Sequence, residues 1–199
     1  MSSSDKAQCE GPKVLLRRDA LARRDAIPAE QRAAAAETIA ARDFPVAVPP
    51  QAIVSGFFPM RSEINPIALL RRLADRSAKL AFPVVVKRGS PLLFRAWSFG
   101  EPLSSGVWGI REPLPEAPEV DPDILIVPMA AFDRTGHRIG YGAGYYDRTI
   151  TRLRSIKPVV AVGVAFAAQE IDAVPAHAHD ARLDLVLTER EVIDFRGVH

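Results

Sequence analysis

The chain has 199 residues, 48% hydrophobic and 25% charged, with 26 Lys plus Arg against 24 Asp plus Glu and a formal net charge of +2. This is the composition of one globular domain with enough apolar residues for a full core, and it excludes a disordered chain or a multi-domain machine. The balanced charge argues against a nucleic-acid binder, because basic residues are interleaved with acids, as in Arg71-Arg72-Leu73-Ala74-Asp75-Arg76, in the manner of a solvated helix face.

Residues 1–12 open with Met1-Ser2-Ser3-Ser4-Asp5-Lys6 and are expected to be flexible, with no apolar segment of the signal-peptide kind behind them. The single cysteine, Cys9, cannot make an internal disulfide and reads as a passive thiol, which points to a cytoplasmic location. Residues 12–42 are rich in Ala, Leu, Arg and Glu, and Ile27-Pro28 breaks them into an expected N-terminal helical pair.

Beyond Pro49-Pro50 short apolar runs at 52–58 and 80–86 flank a polar helical segment at 66–78, the alternation of an α/β sheet. Residues 92–99 read as a strand forming a hairpin with 84–86 across the turn cluster Arg88-Gly89-Ser90-Pro91. The stretch 101–122 carries Pro102, Pro113, Pro115, Pro118 and Pro122, so it is expected to cross the surface without regular structure and to line a site.

Residues 124–127 form a compact buried strand, 145–154 a helix with Ile150 and Leu153 on one face, 159–165 a central strand and 184–187 a last strand. The longest apolar stretches, 124–132 and 159–168, fall far short of the roughly 20 residues that span a bilayer, so no membrane is expected. The fold expected is a single α/β domain, a three-layer sandwich with a largely parallel, Rossmann-like sheet flanked by helices and its cleft at the carboxyl ends of the strands.

The richest segment joins strand 124–127 to helix 145–154: Asp133-Arg134-Thr135-Gly136-His137-Arg138-Ile139-Gly140-Tyr141-Gly142-Ala143-Gly144-Tyr145-Tyr146-Asp147-Arg148. Alternating glycines let the backbone fold tightly and turn successive amides toward one point, and the following helix start adds its positive dipole end, so the segment suits a phosphate. It matches neither the Walker pattern, which needs a Lys-Ser or Lys-Thr pair after the last glycine, nor the dinucleotide pattern, which needs glycine where Tyr145 stands. A purely structural turn whose tyrosines cap the core fits the composition as well. His177 and His179 lack the further ligands of a zinc site, and His137 reads as a turn residue.

Arg138-Ile139-Gly140-Tyr141-Gly142-Ala143-Gly144-Tyr145-Tyr146-Asp147 resembles the hallmark loop of the 5-formyltetrahydrofolate cyclo-ligase (methenyltetrahydrofolate synthetase) family. Lys13-Val14-Leu15-Leu16-Arg17, the segment 57–64 with its Glu63-Ile64 end, Gly109-Ile110-Arg111-Glu112-Pro113 and the block from His179-Asp180 through Asp184 to Thr188-Glu189 resemble further family patterns in the family order. The resemblance implies a ligase of folate one-carbon metabolism that converts 5-formyltetrahydrofolate and ATP, with Mg2+, to 5,10-methenyltetrahydrofolate, ADP and phosphate. The chain is expected to act as a monomer, without nucleic acid or membrane.

By this resemblance Lys13, Arg138 and Asp147 are catalytic, and Lys13, Arg17, Arg138, Gly140, Tyr141, Gly142, Ala143, Gly144, Tyr145, Tyr146 and Asp147 bind ATP. Met60, Glu63, Trp108 and Tyr145 contact folate, and Asp147 with Asp184 holds the metal. Each has a plain alternative: Lys13 and Arg17 as a solvated helix face, Glu63 as an acid before a helix, Asp184 as a strand-start carboxylate, the aromatics as packing. Position 143 is Ala where the family often carries a basic residue or Gly. Rival readings are a non-catalytic folate- or nucleotide-binding protein and a sugar-phosphate or CoA-handling enzyme of similar layout.

Overall fold

The computed structural model describes residues 11–197; Cys9 and all but the end of the expected flexible stretch 1–12 lie outside them. Two helices come first, α1 (Pro12–Asp25) and α2 (Ala29–Ala41). Pro12 sits in the first turn of α1, where a missing N–H costs nothing, and Pro28 stands at the N-cap of α2 and so separates the pair.

The chain continues through β1 (Ile53–Ser55), α3 (Ile67–Asp75), β2 (Lys79–Val84) and β3 (Leu93–Ala96). A small hairpin follows, β4 (Leu103–Ser105) with β5 (Arg111–Pro113), and then β6 (Ile124–Val127). A second hairpin, β7 (Ala131–Phe132) with β8 (Arg138–Ile139), leads into α4 (Tyr145–Ile156), and β9 (Val160–Val164), β10 (Leu185–Leu187) and β11 (Val192–Asp194) close the fold.

Seven strands form one sheet in the order β11-β10-β9-β6-β1-β2-β3. The five inner strands run parallel, and the edge strands β3 and β11 pair antiparallel to their neighbours. Strand β6 shows why the sheet has two covered faces. Ile124 and Ile126 join the cluster containing Ala35, Ile39, Leu69, Leu70 and Leu73 of α2 and α3, whereas Leu125 and Val127 join Ile150 and Leu153 of α4. Alternation sends successive side chains to opposite layers, and burial of each contributes about 1.5–3 kcal/mol. The helix periodicity read at Ile150 and Leu153 and the hairpin of β2 with β3 are both present.

Three features differ from the sequence reading. The proline-rich stretch 101–122 is not wholly irregular: β4 and β5 pair through Leu103–Pro113, Ser104–Glu112 and Ser105–Arg111, with Pro102 just before β4, Pro113 at the end of β5 and the other prolines outside both strands. The glycine-rich segment contains the β7–β8 pair before its glycines, and the edge strand β11 was not anticipated. No helix among the described residues is long and apolar enough to cross a membrane.

The order of the sheet reverses between β1 and β6: β2 follows β1 on one side, while β9 and β10 extend from β6 on the other. The connections leaving β1 and β6 therefore diverge, opening a crevice at the carboxyl ends of these two strands. The chain leaving β1 passes so close to α3 that a Cβ on Gly56 would lie 2.2 Å from a Leu70 methyl. It then carries Met60 and Glu63 to one side of the crevice, and the chain leaving β6 carries the glycines and Asp147 to the other.

Candidate active site

The crevice is a cleft of about 2130 Å³, and every residue singled out as a nucleotide or folate contact lines it. Helix α1 contributes one face. Lys13 and Arg17 are four residues apart and Arg24 follows seven later, spacings that stack side chains on one side of a helix. Lys13 Nζ lies 2.5 Å from Asp180 Oδ2, and Arg17 Nε donates to the Gly140 carbonyl at 2.7 Å. Arg24 Nε donates to Ser62 Oγ at 3.0 Å and its Nη1 to the Tyr141 hydroxyl at 2.5 Å.

The glycine loop runs from β8 into α4. Gly142 (φ +100°) and Gly144 (φ +63°) occupy the left-handed region, which side chains with a Cβ resist, and Gly144 is the N-cap of α4. No side chain caps this helix. Its first amides are thus available to an anion, at the positive end of the helix dipole. The Arg148 guanidinium donates to the Ala143 carbonyl, and Arg17 stands 3.7 Å from where a Gly142 Cβ would be, so the bend is flanked by two cations.

Arg138, expected to bind ATP, is turned inward. Its side chain is buried, with Nη2 2.9 Å from Asp147 Oδ1 and Nη1 donating to the Ala181 carbonyl at 2.5 Å. Burial lowers its pKa, opposed by the charges of Asp147, Tyr146 and Asp180. Arg138 therefore holds Asp147 in place and ties it to the loop after Asp180.

Asp184 is not brought to Asp147. It immediately precedes β10, at the end of the parallel strands away from the cleft, where its Oδ2 accepts from Arg154 and from the Ala161 amide, both at 2.7 Å. The loop that does reach Asp147 is the one carrying Asp180, whose next amide, of Ala181, donates to Asp147 Oδ1 at 3.2 Å. Partial burial works to raise the Asp180 pKa, but the Lys13 hydrogen bond, the His177 amide and the Lys13 charge together hold it below the ordinary value. Asp147's hydrogen bonds fall on Oδ1 and Asp180's on Oδ2, so Asp147 Oδ2 and Asp180 Oδ1, the latter 3.9 Å from His179 Nε2, accept no hydrogen bond. Among the described residues no cluster of three or more His, Cys, Asp or Glu forms a ready-made metal cage. Two carboxylates with free oxygens fit Mg2+, which keeps most of its waters and takes substrate phosphates as its other ligands.

On the opposite wall a tight turn, with Arg61 at φ +53°, carries Glu63. Glu63 is 8% exposed; its Oε2 accepts from the Met60 amide at 2.7 Å, and its buried Oε1 has no hydrogen-bond partner. Burial raises its pKa, outweighing the Tyr141 hydroxyl, the Met60 amide and the Arg24 charge, which act to lower it. The hydroxyl of Tyr146 is likewise buried and unpartnered, and burial together with the Glu63 charge pushes its pKa well up. A carboxylate oxygen and a phenol held dry without partners are the kind of groups that a polar ligand completes.

The β4–β5 hairpin overhangs the cleft. Its tip residue Trp108 is 68% exposed at φ +60°, with its ring edge-on to Tyr145 at 6.2 Å between centroids. Glu112 anchors the hairpin: its Oε1 accepts from the Val85 amide at 3.3 Å, and a Cβ on Gly106 would strike its carboxylate at 2.0 Å.

A family profile described as the 5-formyltetrahydrofolate cyclo-ligase family matches residues 10–189. The chain belongs to this family. It is 35% identical over 148 residues to 5-formyltetrahydrofolate cyclo-ligase of Mycolicibacterium smegmatis, covering 70% of this chain and 75% of that one. With the Haemophilus influenzae 5-formyltetrahydrofolate cyclo-ligase it shares 32% identity over 132 residues, 64% of this chain and 70% of the other. The fold is similar to the solved 5,10-methenyltetrahydrofolate synthetase of Aquifex aeolicus, with a TM-score of 0.76, 28% identity, and 92% and 93% of the two chains covered.

Within this cyclo-ligase frame, sequence reasoning gave no site role to Arg24, Ser62 or Asp180. Asp180 had a readable signal. A residue directly entering a parallel strand lies away from the carboxyl ends where such clefts form, which disfavours Asp184 and favours the loop residue four positions earlier. The contact between Arg24 and Tyr141 spans 117 residues and left no mark in local spacing.

Proposed function

We propose that the cleft closes 5-formyltetrahydrofolate to 5,10-methenyltetrahydrofolate by phosphorylating the formyl oxygen with ATP and Mg2+. As a member of the cyclo-ligase family the chain is an enzyme of folate one-carbon metabolism, and the conversion follows from that membership. The nucleotide, the metal and the residue roles are our reading. The observation that carries them is a single cleft of about 2130 Å³ with an uncapped, cation-flanked glycine bend on one wall and a buried carboxylate on the other. That volume exceeds the roughly 300–1000 Å³ of a site for one small ligand.

A formamide oxygen leaves poorly. Transfer of the γ-phosphoryl group to it forms a P–O bond and releases ADP; nitrogen 10 of the folate then attacks the activated carbon, the C–O bond breaks, phosphate departs and nitrogen 10 loses its proton. Such chemistry asks the protein for positioning and charge stabilisation. The amides of the Gly140–Gly144 bend and of the first turn of α4 donate to phosphate oxygens, and Lys13, Arg17 and Arg148 supply positive charge. Asp147, held by Arg138, and Asp180 would hold Mg2+, which would supply charge neutralisation at the phosphates. Lys13, paired with Asp180 on the same wall, lies where its charge can face the transferring phosphoryl group.

On the folate wall the free Oε1 of Glu63 accepts from pterin N–H groups, and Met60, Trp108 and Tyr145 enclose the flat ring. The protein is taken to work as a monomer, and the single cysteine supports a cytoplasmic location.

Absorbance of methenyltetrahydrofolate, followed with purified protein, 5-formyltetrahydrofolate and Mg2+, tests the reading. Growth only when ATP is added is the expected result. ATP binding without any growth would point instead to a protein that sequesters its ligand.

A further inference from the structure

Arg24 takes no part in the roles assigned so far, yet it is among the most buried charges in the chain. Its side chain is 3% exposed, at the last turn of α1, with Asp25 Oδ1 3.8 Å from its Nε. Burying a guanidinium is costly unless its donors are satisfied, so the partners it takes are informative. One is Ser62, next to Glu63 in the turn on the folate wall. The other is the Tyr141 hydroxyl, between Gly140 and Gly142 in the bend on the nucleotide wall. The guanidinium also lies 5.8 Å from the Tyr141 ring centroid, and Ser62 Oγ in turn donates to Asp25.

One planar side chain thus clamps the two walls of the cleft to each other and to the helix that carries Lys13 and Arg17. The contacts extend to the groups that meet ligand: Arg24 and the Tyr141 hydroxyl both stabilise the Glu63 carboxylate, and Arg17 holds the Gly140 carbonyl one residue before Tyr141. A shift of the glycine bend on nucleotide binding would move Tyr141, and through the two-pronged guanidinium the Ser62-Glu63 turn. We infer that Arg24 is a positioning residue that couples the two subsites, so that nucleotide and folate each tighten binding of the other. This rests on the two-substrate reading of the cleft.

Titration calorimetry tests it with a non-hydrolysable ATP analogue plus Mg2+, in the absence and presence of saturating 5-formyltetrahydrofolate. Wild type is expected to bind the analogue at least about fivefold more tightly with folate present, within the usual span of coupling between sites. In Arg24→Lys the charge near Glu63 stays but an ammonium lacks the fork that reaches both partners, so the ratio is expected to fall to within about twofold of unity. Tyr141→Phe, which removes the hydroxyl that accepts from Arg24 and also stabilises the Glu63 carboxylate, is expected to do the same to the ratio and covers the case in which Arg24→Lys does not fold. A merely structural arginine would lower the melting temperature or weaken both ligands equally without moving the ratio, and that result overturns the inference. If wild type binds both ligands with a ratio near one, the inference alone falls; if it binds neither, the two-substrate reading falls first.

Discussion

Lys13, in the first turn of α1, and Asp180, in the loop that precedes β10, meet at 2.5 Å between Nζ and Oδ2. The pair joins the start of the described chain to the cleft and occupies the lysine expected to face a phosphate. Asp180 thereby holds both the lysine and the stretch of backbone that touches Asp147. We expect Asp180→Asn to lose more than about tenfold in turnover and to need more Mg2+ for half-maximal rate, because a neutral amide is a poor ligand for a hard cation. An unchanged Mg2+ titration would remove Asp180 from the metal site.

Asp184→Asn is the control, with the opposite expected signature. Its carboxylate accepts from Arg154 and the Ala161 amide away from the cleft. Losing the charge there should cost about 1–2 kcal/mol of stability, discounted for partial exposure, and leave turnover within about twofold. Thermal melts and initial rates on the two asparagine variants would separate them; loss of turnover in Asp184→Asn at an unchanged melting temperature would contradict this assignment.

The same linkage gives Asp180 a pH signature. Its folded pKa lies below the unfolded value, so its stabilising contribution is complete above the unfolded value and is lost as pH falls through the folded one. The stability gap between wild type and Asp180→Asn should therefore stay flat from pH 7 to pH 5 and close below about pH 4, the ordinary aspartate range. Urea melts across that range would show it.

Asp147→Asn mixes function with fold. The carboxylate balances the buried Arg138, so its loss leaves a guanidinium short of its counter-charge. About 1–3 kcal/mol of stability should go along with at least about a hundredfold in turnover. Lys13→Ala should lose comparable turnover with a smaller change in melting temperature, because its side chain is partly exposed. Equal stability losses in the two variants would argue against Arg138 as the anchor of Asp147.

Glu63 carries the reverse pH dependence. Burial raises its folded pKa, so the folded state is favoured below the unfolded value and that advantage is lost as pH rises through the folded one. Glu63→Gln should therefore melt higher than wild type at pH 8, with the difference vanishing toward pH 4. It should also weaken folate binding by about 10–100-fold, the usual worth of hydrogen bonds to a charged group, while changing nucleotide affinity less. Equal weakening of both ligands would place the role of Glu63 elsewhere.

How much of this was legible in the sequence follows from the range of each interaction. The strand 124–127 and the Ile150/Leu153 face of α4 were readable because local periodicity reports burial directly. The β4–β5 hairpin was masked by its prolines, and β7 and β8, at two residues each, are shorter than any periodic signal. Candidate residues on the glycine bend were legible as a motif, yet the burial of Arg138 beside Asp147 depends on a contact with the loop around Ala181, 43 residues on. The place of Asp184 was not legible because the motif supplies residue types in order and says nothing about which end of a strand each one flanks.

Trp108 combines exposure with strain, which makes its substitutions separable. A non-glycine residue at φ +60° costs on the order of 1 kcal/mol, and this side chain is 68% exposed with the Tyr145 ring as its aromatic neighbour. Trp108→Gly should therefore be about 1 kcal/mol more stable than Trp108→Ala, since glycine adopts that backbone freely. Both variants should raise the folate KM by about tenfold through loss of the aromatic wall, with kcat and ATP affinity changed by less than about threefold. Chemical denaturation ranks the two for stability, and steady-state kinetics at saturating ATP reads the KM. A folate KM unchanged in both would mean that the β4–β5 tip does not close over the pterin, and the aromatic wall would then rest on Tyr145 alone.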